Sequence, residues 1–407
     1  MTDNQIEKPG EGTPPSGNCL EVLAVFLRLG LTSFGGPIAH LGYFRAELVV
    51  KRKWLDESAY ADLVALCQFL PGPASSQVGF SVGVLRAGGL AGGLAAWAGF
   101  TLPSALVLIA FAYGAAAFRG ALGDGLIHGL KLVAVAVVAQ AVWGMAQRLA
   151  PDRQRASIAL GAVLIVVFAA TAIGQIAAIA LGAVAGLVFC RGEDVAERGS
   201  LSFPVGRASA IAALVLFGVG LILPPFLAPG SQLFAVFGAF YRSGALVFGG
   251  GHVVLPLLQA EVVRPGWVGP DAFLAGYGAA QAVPGPLFTF AAYLGAVMQP
   301  QPNGLAGATI ALVAIFLPGL LLVYGTLPFW DALRRRPRAQ AAMRGTNAAV
   351  VGILAAALYS PVWTSAVLGP RDFALAVASF VLLTIWEIPP WIVVVLLGSA
   401  GALSSLA

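Results

Sequence analysis

The sequence predicts an all-α polytopic membrane protein with about 13 hydrophobic spans, in two inverted repeats whose helices break at Pro-Gly-Pro elements. Composition, an internal duplication and loop charge predict this. Of 407 residues, 59% are hydrophobic and 10% charged, where soluble domains carry about a quarter charged. The stretches 63–85, 87–118, 156–190, 208–241 and 272–330 contain no Asp, Glu, Lys or Arg. A crossing helix needs about 20 apolar residues, so the longest stretches hold more than one.

The duplication is read residue by residue. Arg28, Gly30, Phe34, Gly35, Gly36 and Glu47 recur 214 positions later as Arg242, Gly244, Phe248, Gly249, Gly250 and Glu261. Trp54 and Gln68-x-x-Pro71-Gly72-Pro73 recur 213 positions later as Trp267 and Gln281-x-x-Pro284-Gly285-Pro286. Leu102-Pro103 matches Leu317-Pro318, and Gly129 matches Gly345. Order kept over so long a passage marks a duplicated unit. Duplicated halves in an apolar chain are a common build of secondary transporters, with substrate held between the repeats.

The elements follow in order. Residues 1–19 form a polar, Gly- and Pro-rich tail, disordered and without the basic-then-apolar order of a cleaved signal. The first repeat, 20–190, holds spans at 21–44, 59–85, 88–117, 126–147, 156–172 and 174–190. Residues 191–231 form a linker and an odd connecting span at 208–227. The second repeat, 232–407, holds spans at 233–256, 272–298, 304–329, 345–363, 372–386 and 388–405.

Six crossings return a chain to its starting side, so one extra crossing inverts the second repeat. Loop charge agrees. Arg119 and Asp124 cancel, whereas the equivalent loop carries Asp331, Arg334, Arg335, Arg336, Arg338 and Arg344. After the next crossing the bias reverses: Arg148, Asp152, Arg153 and Arg155 are net positive, while Arg371 and Asp372 cancel. The positive-inside rule then places the N-terminal tail and the 148–155, 191–207 and 331–344 loops in the cytoplasm. Arg45, Lys51, Arg52 and Lys53 conflict with this scheme; either 59–85 is re-entrant or those cations have a local role.

Pro-Gly-Pro interrupts a helix, because proline lacks the N–H and clashes with the preceding turn. Pro73 and Pro286 would start second half-helices, freeing N–H groups near Ser75, Ser76 and Thr289 for an anion. A plain kink is the alternative. Ser33-Phe34-Gly35-Gly36 and Phe248-Gly249-Gly250 are a second pair of breaks, or sites of close helix packing. Arg28 and Arg242 lie at membrane depth, where a cation costs at least about 2.5–3.5 kcal/mol and needs a partner, a wet cavity or a route to the surface. Were Arg242 an anion ligand, a neutral substitute would leave stability unchanged or better. Glu47 and Glu261 could pair with cations or shuttle protons. His40 and His252 could titrate, or serve as hydrogen-bonded structural groups. Gln68 and Gln281 could donate to an oxyanion. Trp54 and Trp267 read as interfacial anchors.

Other classes fit poorly. The net charge of +5 reflects cytoplasmic loop arginines rather than a nucleic-acid surface. The three cysteines are scattered, and no cofactor motif, metal cluster or ATP loop is present. The duplicated motifs resemble those of the chromate ion transporter family, whose long members carry two such halves. That resemblance implies a chromate exporter of the cytoplasmic membrane that confers resistance and is no enzyme. It places Arg28, Gly35, Gly36, Trp54, Gln68, Pro71, Gly72 and Pro73, with their second-half partners, on motif positions. Gly251 departs, standing where the first copy has Pro37. Sulfate or another tetrahedral oxyanion is the alternative substrate. Lipid surrounds such a chain, which is also compatible with a homo-oligomer.

Overall fold

The computed structural model describes residues 17–117, 121–169, 171–190, 203–330 and 336–404, and among these every regular element is helical. Most of the expected tail, the linker residues 191–202, and Arg119, Asp331, Arg334 and Arg335 lie outside the described residues.

The first break is a reversal. Helix α1 (Cys19–Thr32) starts at Asn18, whose side chain accepts the Glu21 N–H at 2.8 Å. Helix α2 (Gly36–Phe44) continues as a π-helical turn over Arg45–Lys51 and folds back beside α1. The rings of Phe26 and Phe44 stand 5.5 Å apart, whereas in-line helices would separate residues so spaced by about 27 Å. A second reversal joins α3 (Glu57–Phe69) to α4 (Ala74–Ala87). Its end returns to the start of α1. The Arg86 guanidinium pairs with Glu21 at 3.1 Å and lies 5.0 Å over the Trp54 ring, and the Arg86 backbone carbonyl accepts the Gly17 N–H at 2.9 Å.

Two expectations are thereby corrected. The segments 21–44 and 59–85 are not single crossings; each reaches the middle of the molecule and comes back. Arg45 and Lys51 to Lys53 consequently sit at the same end as Glu21, and their conflict with the loop charges disappears.

The second half repeats the pattern. Helix α5 (Leu90–Ala117), α6 (Ala121–Leu149), the pair α7 (Arg153–Phe168) and α8 (Ala172–Phe189), and α9 (Arg207–Leu227) come first. Asp152 caps α7, accepting the Arg155 N–H at 2.8 Å and its guanidinium at 2.5 Å; these contacts hold its carboxyl below the ordinary range. Then α10 (Gln232–Ala245) and α11 (Val254–Leu258) reverse, as do α12 (Pro270–Ala282) and α13 (Phe290–Val297). Tyr293 Oη donates to the Ala272 carbonyl at 3.0 Å across the latter pair. Helices α14 (Gly304–Thr326), α15 (Pro337–Ala357), α16 (Pro370–Thr384) and α17 (Pro390–Ser404) complete the chain.

Among the described residues, only α5, α6, α9, α14 and α15 lie in stretches long and apolar enough to cross a bilayer. The remaining helices form six reversed pairs, so the expectation of 13 spans is replaced by five long helices and paired shorter ones.

Helices α5 and α14 run antiparallel. A Cβ on Gly304, at the start of α14, would lie 3.1 Å from Tyr113 Oη near the end of α5. Tyr324, near the end of α14, meets Phe80 of α4 at 6.4 Å. Equivalent contacts are exchanged between halves. A Cβ on Gly129 of α6 would stand 2.2 Å from the Leu397 carbonyl of α17, and one on Gly345 of α15 would stand 2.0 Å from the Gly182 carbonyl of α8. Backbone approach this close is how small residues hold helices together in lipid.

A junction of four helix reversals

The four reversals meet in the middle of the molecule, and their backbone bonds are crossed. The N–H of Gly72 donates to the carbonyl of Val247 at 2.7 Å, and that of Gly285 to the carbonyl of Ser33 at 2.9 Å. Ser33 and Val247 are equivalent in the duplication, as are Gly72 and Gly285. Each half therefore receives from the other the same bond that it gives. The glycines are required: their φ values of +124° and +102° are rarely open to L side chains. A Cβ on Gly72 would also stand 3.0 Å from Gly319 Cα, and one on Gly285 2.8 Å from Ser104 Oγ. Each Pro-Gly-Pro thus packs on the proline-bearing long helix of the opposite half, α14 or α5.

Polar side chains gather on the first-half side. His40 Nδ1 lies 3.3 Å from Ser75 Oγ, and its ring packs edge-on against Phe100 at 5.3 Å. Gln77 Nε2 donates to the carbonyls of Pro71 at 2.9 Å and Gly319 at 3.0 Å. Ser33 Oγ, His40 Nε2, Ser76 Oγ, Gln77 Oε1 and Thr101 Oγ1 are buried without a partner. Each unmade bond costs about 1–3 kcal/mol, so this concentration calls for a reason. Pro73 precedes α4 as its N-cap without a side-chain cap, so the first-turn N–H groups of α4 face the same junction.

The second half differs at the matching positions. Val247 replaces Ser33, Val254 replaces His40, Phe288 replaces Ser75, Phe290 replaces Gln77 and Phe316 replaces Thr101. Phe288 and Phe316 pack at 5.6 Å. Thr289 keeps a hydroxyl, which donates to the Pro286 carbonyl at 2.8 Å. His252 Nδ1 lies 2.8 Å from Tyr277 Oη. Gln281 and Asn347 keep one unpartnered buried atom each.

The structure thus brings together Ser33, His40, Gly72, Ser75, Ser76 and Gly285, with Gly35, Gly36, Gly249 and Gly250 forming the flanking reversals. It does not bring in the arginines. Arg242 makes a bidentate pair with Glu261, Nε to Oε1 at 3.0 Å and Nη2 to Oε2 at 2.7 Å. That pair lies at a separate shallow recess with Gln175, Ser243, Leu246 and Leu257. Of the readings open to Arg242 the ion pair is the one observed, so the expectation that a neutral substitute leaves stability unchanged or better is corrected. Arg28 is exposed on the face of α1 that carries Leu20, Leu27 and Leu31. Glu47 bonds Arg52 at 2.8 Å and Lys51 at 3.2 Å instead of Arg28. Gln68 is exposed. Trp54 is buried beneath Arg52 and Arg86 rather than standing as a surface anchor.

Thr101 and Ser104, and the side chain of Gln77, are junction groups that motif reading passed over. Their signal lay in the alignment itself, as polar positions beside Pro-Gly-Pro and Leu102-Pro103 whose second copies are apolar or glycine.

Comparison with known proteins adds to this geometry. A family model described as chromate transporter matches residues 20–187 and again 234–402. A chromate transport protein of Pseudomonas aeruginosa is 28% identical over 85% of this chain and 82% of its own length. One of Cupriavidus metallidurans is 26% identical over 85% and 83%. An uncharacterized transporter of Methanocaldococcus jannaschii is 25% identical over 87% and 86%. No solved structure matches.

Proposed function

The chain belongs to the chromate transporter family, and on that premise we propose that its four-reversal junction binds chromate and passes it across the cytoplasmic membrane. The observation that carries this reading is the set of buried, unpartnered hydroxyls and imidazole (Ser33, His40, Ser76 and Thr101) at helix reversals whose backbone bonds cross between the halves. Helix starts, hydroxyls and imidazole suit an anion without demanding a fixed countercharge. Parting of the reversals at these bonds, toward one face at a time, would give alternating access.

Exchange of contacts between antiparallel halves supports an inverted repeat in the membrane. The end bearing Arg45, Arg52, Arg86 and Arg155 is the cationic one, which favours a cytoplasmic position. The family supports chromate as the cargo. Export driven by an ion gradient, with resistance as the outcome, is our proposal for its direction and role.

A second reading has its own support. Neutral donors recognise tetrahedral dianions by size and charge, so sulfate fits the same groups. Labelled chromate uptake into inside-out vesicles, with sulfate as competitor, separates the two. Uptake that saturates and resists excess sulfate supports chromate; uptake abolished by equimolar sulfate supports the alternative; no uptake of either ion rejects carriage through this junction.

A further inference from the structure

Resting on the oxyanion-carrier reading, we propose that each chain holds one oxyanion, bound by the first half alone through Ser33, His40, Ser75 and Ser76. The equivalent place in the second half is filled by Phe288, Phe290 and Phe316. Duplicated halves would ordinarily suggest two equal subsites; the side chains argue otherwise.

Ser33, His40 and Ser76 are at most 2% exposed, and each carries a polar atom without a partner. They sit on three segments that meet at the junction. Ser33 ends α1, His40 lies on α2 and touches Ser75, and Ser76 stands in the first turn of α4. His40 approaches both the Ser75 hydroxyl and the Ser33 backbone, and in the tautomer in which Ser75 donates to Nδ1 the imidazole carries its hydrogen on Nε2. His40 then serves as a neutral donor to the ion, completing a set with the serine hydroxyls and the first N–H groups of α4.

The matching positions opposite are different. The side chains of Val247, Val254, Phe288, Phe290 and Phe316 offer no donor, the Thr289 hydroxyl already bonds Pro286, and Gln281 Nε2 is the unpartnered side-chain donor that remains there. Phe288, Phe290 and Phe316 are at most 1% exposed, so the space is occupied. The second half instead supplies the backbone carbonyl of Val247 and the wall formed by Gly319, which hold the first-half tip in place.

Equilibrium dialysis of the purified full chain in detergent against labelled chromate tests this. One ion per chain is expected. Ser76→Ala removes a single unpartnered oxygen and should weaken binding at least tenfold with an unchanged melting temperature. His40→Leu should do the same, while His40→Gln, which restores an N–H donor, should recover most of the affinity. Thr289→Val should stay within twofold of wild type. Two ions per chain, or equal losses from Thr289→Val and Ser76→Ala, would overturn the one-site inference while leaving the carrier reading intact. A wild-type chain that binds neither chromate, sulfate nor molybdate overturns both.

Discussion

Pro37 and Gly251 hold equivalent positions in the two halves and lie against each other: a Cβ on Gly251 would stand 3.3 Å from Pro37 Cγ. On the proposed inverted repeat, residues related by its two-fold rotation touch only on the axis, which would then pass between them. The crossed bonds of Gly72 and Gly285 flank it. Gly251, standing where the first copy has Pro37, is therefore where two copies of proline would meet.

A bulky residue on the axis should act as a wedge. Gly251→Leu is expected to lower chromate uptake into inside-out vesicles at least tenfold, with Gly251→Ala less affected. A wild-type rate for Gly251→Leu at equal protein level would show that the junction does not part during transport.

The Pro-Gly-Pro glycines should be intolerant of any side chain. Gly72→Ala and Gly285→Ala each force a strained φ, which costs about 1–3 kcal/mol, and press a methyl against Gly319 or Ser104. Both should melt lower in detergent and lose transport. If either alanine variant melts and transports like wild type, the tight contact between tip and opposing helix is not needed.

Arg242→Ala should destabilise the protein, because it leaves the Glu261 carboxylate unpaired. Removing one partner of a buried pair costs about 3–5 kcal/mol, and partial exposure here reduces the expectation to about 1–3 kcal/mol. Arg242→Gln with Glu261→Gln should melt close to wild type, since both charges are gone. A double variant no more stable than Arg242→Ala would mean that Arg242 acts through some other contact.

Residues on the first-half reversals should label from the cationic face. Ser58→Cys, in a background lacking Cys19, Cys67 and Cys190, should react with an impermeant thiol reagent from the same side as Arg155→Cys. Arg264→Cys should react from the other. Labelling of Ser58→Cys and Arg264→Cys from one side would reject the inverted arrangement.

Much of this was readable from sequence, for reasons tied to residue type. The duplication survives because Gly72, Gly285 and the prolines occupy backbone geometries that other residues rarely adopt. The reversals were harder. Pro-Gly-Pro states that a helix ends, but not whether the next helix continues or returns, and hydropathy is apolar in both cases. Hence 21–44 and 59–85 read as spans. The Arg242–Glu261 pair was one of two open readings, because a separation of 19 residues has no helical phase to decide it. Arg86 over Trp54 was invisible, since it joins segments 32 residues apart in sequence.

Helix α9 has a consequence of parity. It makes one crossing, contributes little to the core and belongs to neither repeat, yet on the proposed topology it decides whether the two copies can complete each other. With it the chain crosses an odd number of times and its ends face different compartments. Without it the second copy would enter from the same face as the first, and the bonds from Gly72 and Gly285 would lose the axis they share. Two unlinked copies could dispense with α9 only by inserting in opposite orientations, so a gene for one repeat would need loop charges that permit both.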